Sequence, residues 1–257
     1  MKAPNASIAN DSPTLEHSHS PAEIAARIAA PNSHSYLRDG IYGAIDGAVT
    51  TFAVVSGVAG AGLSPTIVIV LGIANLIGDG FSMAAGNFLG TRAENQELEK
   101  VRSIEQKHIR ECPEGEREEI RQILTKQGFS GDLLERAVEQ ITANETTWVE
   151  AMLQNEYGLS IDQRGALPAA AMTLGSFIVV GGIPLSPFVL NWIFELDFDP
   201  FPFSAALTAV AFFLVGAVKS RFVQQRWWLA GCETLTVGAI AAGLAYGCGH
   251  LLGSIAR

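Results

Sequence analysis

The stretch PTIVIVLGIANLIGDGFSMAAGNFLG, residues 65–90, decides the fold of this chain. It is almost wholly apolar, and no basic residue follows it until Arg92. About 20 predominantly apolar residues in a helix cross a hydrocarbon core of about 30 Å. The stretch therefore predicts a membrane-spanning helix, in which the placing of Asp79 and Met83 four residues apart needs a reason.

Four further apolar runs of membrane-crossing length occur along the chain. Hydrophobic residues make up 48% of the sequence and charged residues 17%, and the charges are bunched between the runs. Buried helices of a soluble protein are the alternative interpretation, but five such runs favour an all-α membrane protein with five transmembrane helices. Besides residues 65–90, these helices are predicted over residues 41–62, 167–190, 200–218 and 229–253.

Lysine and arginine predict the orientation of these helices, because loops that stay in the cytosol retain basic residues. Sixteen of the 17 basic residues lie before the first run, between the second and third, or between the fourth and fifth. Only Arg257 follows the last run. With five spans, the N-terminus is predicted inside and the C-terminus outside.

The first 35 residues lack the apolar region of a cleavable signal peptide and are predicted to form a mobile cytosolic tail. Within this tail, SPAEIAARIAA offers Ser20 as an N-cap, Pro21 at the first helical position and Glu23 at the third. This pattern predicts a short helix along the membrane surface. The remaining chain is predicted to comprise transmembrane helices 1 and 2 (residues 36–90), a cytosolic insert (91–164) and transmembrane helices 3–5 (165–257).

The insert, residues 91–164, is too long for a connector and carries 16 acidic against ten basic side chains. Its apolar positions recur at helical spacing, with turn signals at CPEGE and QGFSGD. Three helices are therefore predicted, over residues 91–111, 115–127 and 131–156, the first continuing the second membrane span. The acidic excess favours a cationic ligand over an anionic lipid surface.

Candidate metal ligands occur in pairs on these three helices. Side chains three or four residues apart share one helix face, so each helix offers two ligands to a common centre. Carboxylates with one imidazole and one thioether suit a divalent transition metal such as Fe²⁺ or Mn²⁺. A solvated acidic face, with a methionine that only fills the core, is the alternative. The pairs are Glu105 with His108, Glu116 with Glu119, and Met152 with Glu156.

Polar residues also form stripes within the first two membrane spans. An aspartate at the centre of a spanning helix costs about 2.5–3.5 kcal/mol, and such residues commonly mark an ion or proton route. A capping or packing role beside Gly78 and Gly80 is the alternative for Asp79. The stripes are Tyr42, Asp46 and Thr50 on the first span, and Asn75, Asp79 and Met83, continued by Gly86, on the second.

Glu233 opens the last span directly after Trp227 and Trp228, which suit a membrane interface. Its carboxylate is predicted either to line the cytosolic mouth of an ion path or to favour the positive end of its helix. The chain has no G-x-x-x-x-G-K-[ST] phosphate loop, so hydrolysis of ATP is not expected. An ion gradient is then the expected driving force.

Three segments resemble the vacuolar iron transporter family: YLRDGIYGAIDGAVTTFAVVSGVAG, GDGFSMAAGNFLGTRAE and EREEIRQIL followed by WVEAMLQNEYGL. The resemblance covers residues 36–255. It implies a homodimer with five transmembrane helices per subunit and a glutamate-rich, three-helix cytosolic domain. It further implies export of Fe²⁺, and often Mn²⁺ or other divalent metals, from the cytosol in exchange for protons.

The resemblance also assigns residues. Asp46 matches the membrane aspartate of the family and Met83 its membrane methionine. Where the family pattern has a further glutamate, this chain has His108, which lowers the negative charge and makes the site softer. The matching cytosolic ligands are Glu105, Glu116, Glu119, Met152 and Glu156.

The expected mechanism joins both regions. The insert collects the cation, Asp46 and Met83 line its path, and protonation of Asp46 from the outer side favours release. The substrates expected are Fe²⁺ and Mn²⁺, with Zn²⁺, Co²⁺ and Ni²⁺ open, and no permanently bound cofactor, enzymatic activity or nucleic-acid partner is expected. A bacterial inner membrane is the expected location, with membrane lipid and a second subunit as partners.

Two other functions are alternatives on the sequence. An iron-oxidising enzyme of the ferritin type uses Glu-x-x-His pairs, but it needs them on two helices of a four-helix bundle. Only Glu105 and His108 fit that pattern here. A membrane-anchored metal buffer or sensor is the second alternative, although an anchor has no use for Asp46 and Asp79.

Overall fold

The computed structural model describes residues 19–29, 35–222 and 225–255. The chain divides into two units, residues 1–34 and residues 35–257. The described part is α-helical and contains no strand. Its helices are α1 (Pro21–Ala29), α2 (Leu37–Gly60), α3 (Pro65–Glu111), α4 (Pro113–Lys126), α5 (Gly131–Thr142), α6 (Glu145–Asn155), α7 (Ala166–Gly181), α8 (Ser186–Phe194), α9 (Pro200–Lys219) and α10 (Trp227–Ile255).

The first unit contributes α1, and its start agrees with the predicted capping signal. The Ser20 hydroxyl accepts a hydrogen bond from the backbone N–H of Glu23 at 3.4 Å and donates one to the Glu23 carboxylate at 3.1 Å. Reciprocal bonds of this kind satisfy groups that a helix start leaves unpaired. Of the predicted tail, residues 1–18 and 30–34 lie outside the described residues.

The second unit is an integral membrane bundle. By length and composition, α2, α3, α9 and α10 can each cross a membrane. The pair α7 and α8 passes the same test only as one bent element, with an angle of 58° between its halves. Within the described residues there are therefore four long apolar helices and one broken candidate, in place of five uninterrupted helices.

The break in the predicted span over residues 167–190 has a sequence cause. Pro184 and Pro187 remove two backbone N–H donors and disfavour a continuous helix. The Ser204 hydroxyl of α9 donates a hydrogen bond of 2.6 Å to the Pro184 carbonyl. This bond satisfies a backbone acceptor that the interrupted helix leaves open.

Helix α2 lies at the centre of the bundle and contacts α3, α7, α9 and α10. Its glycines allow the closest approach. A Cβ atom built on Gly43 would lie 2.4 Å from the Thr173 carbonyl oxygen of α7, and one on Gly47 would lie 2.5 Å from that of Phe177. The backbones of α2 and α7 thus touch because these positions lack side chains.

The insert is built on the extension of α3. One helix of 47 residues contains both the predicted second span and residues 91–111, as the sequence predicts. The predicted helix over residues 131–156 is wrong, because it is two helices, α5 and α6. The side chain of Asn144 accepts a hydrogen bond of 3.1 Å from the Thr147 N–H and so starts α6 as a new helix.

Two apolar clusters hold the insert together. One joins α4, α5 and α6, and the other packs α6 on α3 through Leu98, Val149 and Leu153. Since α6 contributes to both clusters, it fixes the helices of the insert against the extension of α3. The first cluster consists of Ile120, Leu124, Val138, Trp148 and Met152.

Candidate functional site

The insert brings three of the predicted ligands into one cluster, which we call the acidic cluster: Glu105 and His108 of α3 with Glu116 of α4. One ligand atom from each residue lies within 4.8 Å of the others. The His108 Nδ1 atom is 3.4 Å from a Glu116 oxygen and 3.8 Å from a Glu105 oxygen. One turn of α3 and the start of α4 therefore converge on a common centre.

The two carboxylates of this cluster are buried, with 1% of Glu105 and 5% of Glu116 exposed. The Oε2 atom of each has no hydrogen-bond partner among the described residues. A buried carboxylate oxygen without a partner costs several kcal/mol unless a cation or proton compensates it. The cluster has the donor atoms and the unmet charge that a divalent cation would satisfy.

Electrostatics extend the cluster to the other predicted carboxylates. Burial raises the pKa of Glu116 to about 7, with further contributions from Glu105, Glu119 and Glu156. Burial also raises the pKa of Glu156, followed by the charges of Glu119 and Glu105. Glu119 and Glu156 thus lie within electrostatic reach of the acidic cluster, although they do not join it as direct neighbours.

Met152 has a position that fits either of its predicted roles. Its side chain is fully buried in the apolar cluster of α4, α5 and α6. It lies on α6 directly before the turn that carries Glu156, whose N–H donates to the Met152 carbonyl at 2.9 Å. The contacts of Met152 in this structure are those of a core residue.

Tyr157 is a residue that the sequence prediction missed. Its hydroxyl donates a hydrogen bond of 2.9 Å to the Glu105 Oε1 atom. Burial and the neighbouring Glu105 carboxylate raise the pKa of Tyr157, so it stays a donor. Its position directly after Glu156 was the available signal, and the bond orients a buried carboxylate of the acidic cluster.

In the membrane bundle, the predicted stripes of α2 and α3 meet in part. The Asn75 amide donates to the Thr50 hydroxyl at 3.2 Å, and that hydroxyl donates to the Asp46 carbonyl at 2.9 Å. Asp46 and Met83 are half-buried, and Asp79 lies close enough to act on Asp46 electrostatically. These contacts link Asp46, Thr50, Asn75 and Asp79 between α2 and α3, and Met83 follows Asp79 by one turn of α3; we call these five residues the polar stripe.

The polar stripe continues through Asn87 and not through Gly86, the residue predicted from the sequence. Gly86 is exposed, and a Cβ atom there would meet nothing within 4 Å. The residue that continues the spacing of four is Asn87, whose amide nitrogen lies 3.1 Å from Asp39 and 2.7 Å from Thr173. The interval from Asn75 through Asp79 and Met83 to Asn87 was the signal that could have found it.

Tyr42, predicted in the stripe of the first span, and Glu233, a predicted path residue, lie apart from the polar stripe. The Tyr42 hydroxyl accepts a hydrogen bond of 3.4 Å from Arg38, and its ring is half-exposed. The Glu233 carboxylate of α10 accepts a hydrogen bond of 3.2 Å from the Lys219 ammonium of α9. The structure thus gives Glu233 a partner that joins two helices.

Comparisons with known proteins agree on one family. A sequence model described as VIT family matches residues 37–250 of this chain. The vacuolar iron transporter of Toxoplasma gondii is 30% identical over 228 residues, which are 86% of this chain and 75% of that protein. Vacuolar iron transporter 1 of Tulipa gesneriana is 30% identical over 82% of this chain and 84% of its own length. Vacuolar iron transporter 1 of Arabidopsis thaliana is 30% identical over 82% and 83%, respectively.

Proposed function

Because this chain belongs to the VIT family, we propose that it is a transporter that exports Fe²⁺ from the cytosol in exchange for protons. Relatives at 30% identity are named vacuolar iron transporters. The donor set of the acidic cluster supports Fe²⁺ and Mn²⁺ as substrates, and it leaves Zn²⁺, Co²⁺ and Ni²⁺ as candidates. The protein acts as a transporter rather than as an enzyme.

The observation that carries this proposal is the burial of Glu105 and Glu116 side by side, each with one oxygen that has no partner among the described residues. Two carboxylates in one dry site repel each other unless a proton or a metal ion lies between them. His108 faces both and contributes an imidazole nitrogen. The insert, residues 91–164, is proposed to act as a cytosolic receiving domain, in which Glu119, Met152 and Glu156 complete the ligand set.

The polar stripe is the proposed route through the membrane. Asp46 supplies charge to attract the cation, and the Met83 thioether supplies a weak ligand that releases it readily. Thr50, Asn75 and Asp79 line the same surface. Protonation of Asp46 from the outer side removes its charge, so the metal leaves and the proton enters in exchange.

The proposed topology follows the basic residues. The α7 and α8 pair counts as the third of five spans, which places the N-terminus and the insert in the cytosol and the C-terminus outside. A bacterial inner membrane is the proposed location. Glu233 is proposed to lie near the cytosolic mouth, where its carboxylate is paired with Lys219.

A homodimer is the proposed assembly. Asp79 is exposed on the surface of one subunit at membrane depth, and so are Gly78 and Ser82 on the same part of α3. A charged group facing lipid is costly, whereas small residues permit close helix packing. A second copy of α3 on this face would remove Asp79 from lipid and enclose the polar stripe.

The test is metal flux into proteoliposomes with and without a pH gradient. Replacing Asp46→Asn, which keeps the shape and removes the titratable group, is expected to abolish proton-driven Fe²⁺ uptake. Asp197→Asn, an exposed aspartate in the connector between α8 and α9, is the matched control and is expected to leave uptake unchanged. Full uptake by the Asp46→Asn variant would refute the assigned route.

The same assay separates the transporter from a membrane-anchored buffer. A buffer would retain metal on the protein without flux across the membrane. Oxygen consumption on addition of Fe²⁺ would instead indicate iron oxidation. The Asp46 and Asp79 pair favours the transporter, because neither residue has a role in an anchor.

A further inference from the structure

An ion pair between a buried carboxylate, Asp39, and a partly exposed guanidinium, Arg164, lies at the end of the polar stripe nearest the insert. The Arg164 guanidinium donates to one Asp39 oxygen at 2.5 Å, and the Asn87 amide donates to the other at 3.1 Å. Asp39 is 7% exposed. Thr91 donates to the Asn87 side-chain oxygen at 3.3 Å, so the residues form one connected network.

This network directly continues the proposed route. Asp39 precedes Asp46 by seven residues on α2, and Asn87 follows Met83 by four residues on α3. Both intervals keep the residues on one helix face. A cation moving from the insert toward Asp46 along this surface therefore meets the Asp39–Arg164 pair before it meets Met83.

The ion pair places a positive charge, the Arg164 guanidinium, on the proposed route of the cation. The guanidinium lies against the Asp39 carboxylate, where it repels an approaching cation and occupies the carboxylate that would attract one. Such a pair adds little net stability, because Asp39 loses its hydration and the partly exposed Arg164 is screened by solvent. Its presence on the route is better explained by control of access than by folding.

Arg164 is also mechanically tied to the insert. It ends the segment that returns from α6 to α7, and its carbonyl accepts a hydrogen bond of 2.8 Å from Asn95 on the extension of α3. The next residue, Gly165, donates to the Tyr36 hydroxyl at 3.2 Å. Arg164 is thus held between α3 and the start of α2, and a displacement of the insert that breaks the bond to Tyr36 would move the guanidinium away from Asp39.

We propose that the Asp39–Arg164 ion pair is a gate that closes the insert side of the polar stripe. When the pair separates, Arg164 moves away together with the segment that connects α6 to α7. Asp39 and Asn87 then form the first polar site that the cation meets in the membrane bundle. The inference rests on the proposed function for its direction of travel. Its test measures access to the stripe and needs no transport.

The experiment measures labelling of a Met83→Cys reporter by a cationic, membrane-impermeant methanethiosulfonate reagent. The native cysteines are replaced by serine. The protein is placed in membrane vesicles with its insert facing the outer solution. Arg164→Ala is expected to raise the labelling rate at least about tenfold, since it removes the group that holds the closed arrangement and so shifts the equilibrium to the open one. Asp39→Asn, of nearly the same shape, is expected to do the same.

Arg92→Ala is the matched control. Arg92 is an exposed arginine on α3 close to this network, and no carboxylate partner is seen for it among the described residues. Its removal changes the local charge without breaking the gate, so the labelling rate is expected to stay within about twofold of the parent. Arg164→Lys keeps the charge and is expected to label at an intermediate rate.

Unchanged labelling in both Arg164→Ala and Asp39→Asn would overturn the gate. Should these two variants fail to purify as monodisperse protein, Arg164→Lys carries the test, and labelling equal to the parent overturns the proposal. Faster labelling in a protein that shows no metal flux would keep the gate and reject the proposed function. Normal flux with unchanged labelling would reject the gate alone.

Discussion

At the scale of single residues, the protonation of Glu116 sets the charge of the acidic cluster. Glu116 has an ordinary pKa of 4.5, which burial and the charges of Glu105 and Glu119 raise to about 7. The folded state therefore holds a proton on Glu116 over a range in which the unfolded chain has lost it. A divalent cation bound to Glu116 would take the place of that proton.

The pH dependence follows from the sign of this shift. Between pH of about 4.5 and about 7 the folded state binds more protons than the unfolded state, so stability falls as pH rises and then levels off. The metal-free protein is expected to show a melting temperature that decreases over this range, with Mn²⁺ restoring it increasingly as pH rises. Thermal unfolding with chelator or with Mn²⁺ at several pH values measures both effects.

Two variants test the assignment to Glu116. Glu116→Gln is expected to flatten the pH dependence and to lose the Mn²⁺ response. Glu118→Gln is the control, because Glu118 is exposed and its pKa is lowered by Arg121 and Gln122. An unchanged pH slope in Glu116→Gln would contradict the prediction.

Substitutions of Met152 distinguish its two predicted roles, metal ligand and core residue. Met152→Ala leaves a cavity in the apolar cluster of the insert and is expected to cost about 2–5 kcal/mol of stability. Met152→Leu conserves volume and is expected to cost less than about 1.5 kcal/mol. If the thioether binds metal, Met152→Leu weakens Co²⁺ or Fe²⁺ binding by calorimetry while the fold is kept. Equal affinity in Met152→Leu and the parent would leave Met152 as a core residue.

At the scale of elements, the packing of α2 on α7 depends on glycines whose neighbours are backbone atoms. An added methyl group at Gly43 would lie 2.4 Å from a carbonyl oxygen of α7, so the two helices would have to separate. Helix α7 itself carries Gly175, where an added Cβ meets nothing within 4 Å. The two glycines look alike in the sequence and differ only in what lies beside them.

This contrast predicts opposite outcomes for one chemical change. Gly43→Ala is expected to cost about 1–3 kcal/mol through overpacking. Gly175→Ala is expected to be neutral or to gain up to about 1 kcal/mol, because alanine favours a helix more than glycine does. Melting temperatures in detergent compare the two, and equal tolerance of both substitutions would contradict the close contact of α2 with α7.

The sequence predicted these elements unevenly, for physical reasons. Apolar length identified α2, α3, α9 and α10, since a membrane imposes that length on any spanning helix. Periodicity could not locate the break at Asn144, because the apolar spacing on its two sides fits one helix as well as two. The partners of Asn87 are distant in sequence, so helical spacing indicates its face but not its contact with Asp39.

In the candidate site, too, spacing along a helix was predictable and contacts between distant residues were not. Spacing of three placed Glu105 and His108 on one face, which the geometry of the acidic cluster matches. The position of Tyr157 directly after Glu156 indicated its place near the site, but its hydrogen bond to Glu105 was not predictable, since 52 residues separate the two in the chain. The assigned roles of the ligands and of the polar stripe stay predictions that the experiments above test.

At the scale of the whole molecule, the distribution of basic residues predicts which surfaces face the cytosol. Cys112, at the junction of α3 and α4, is free and exposed, and Ser254 lies near the other end of the molecule on α10. The proposed topology places Cys112 inside and Ser254 outside. With Cys232 and Cys248 of α10 replaced, Cys112 is the one remaining thiol and reports on one side of the membrane.

The prediction is tested in a background with Cys232→Ser and Cys248→Ser. In intact bacterial cells, an impermeant maleimide is expected to leave Cys112 unlabelled and to label a Ser254→Cys variant. Inverted vesicles are expected to reverse this pattern, and Cys112→Ser removes the signal there. Labelling of Cys112 in intact cells would contradict the orientation.

The unbroken helix α3 has a consequence for communication between the two regions it connects. Glu105 follows Met83 by 22 residues on that helix, which corresponds to about 33 Å along its axis. Charges in physiological salt are screened within about 8 Å, so the filling of the acidic cluster does not reach Met83 as an electric field. Conformational coupling between the acidic cluster and Met83 is therefore expected to occur through tilt or rotation of α3. A tilt of a few degrees at Met83 displaces the end of α3 that carries Glu105 by ångströms.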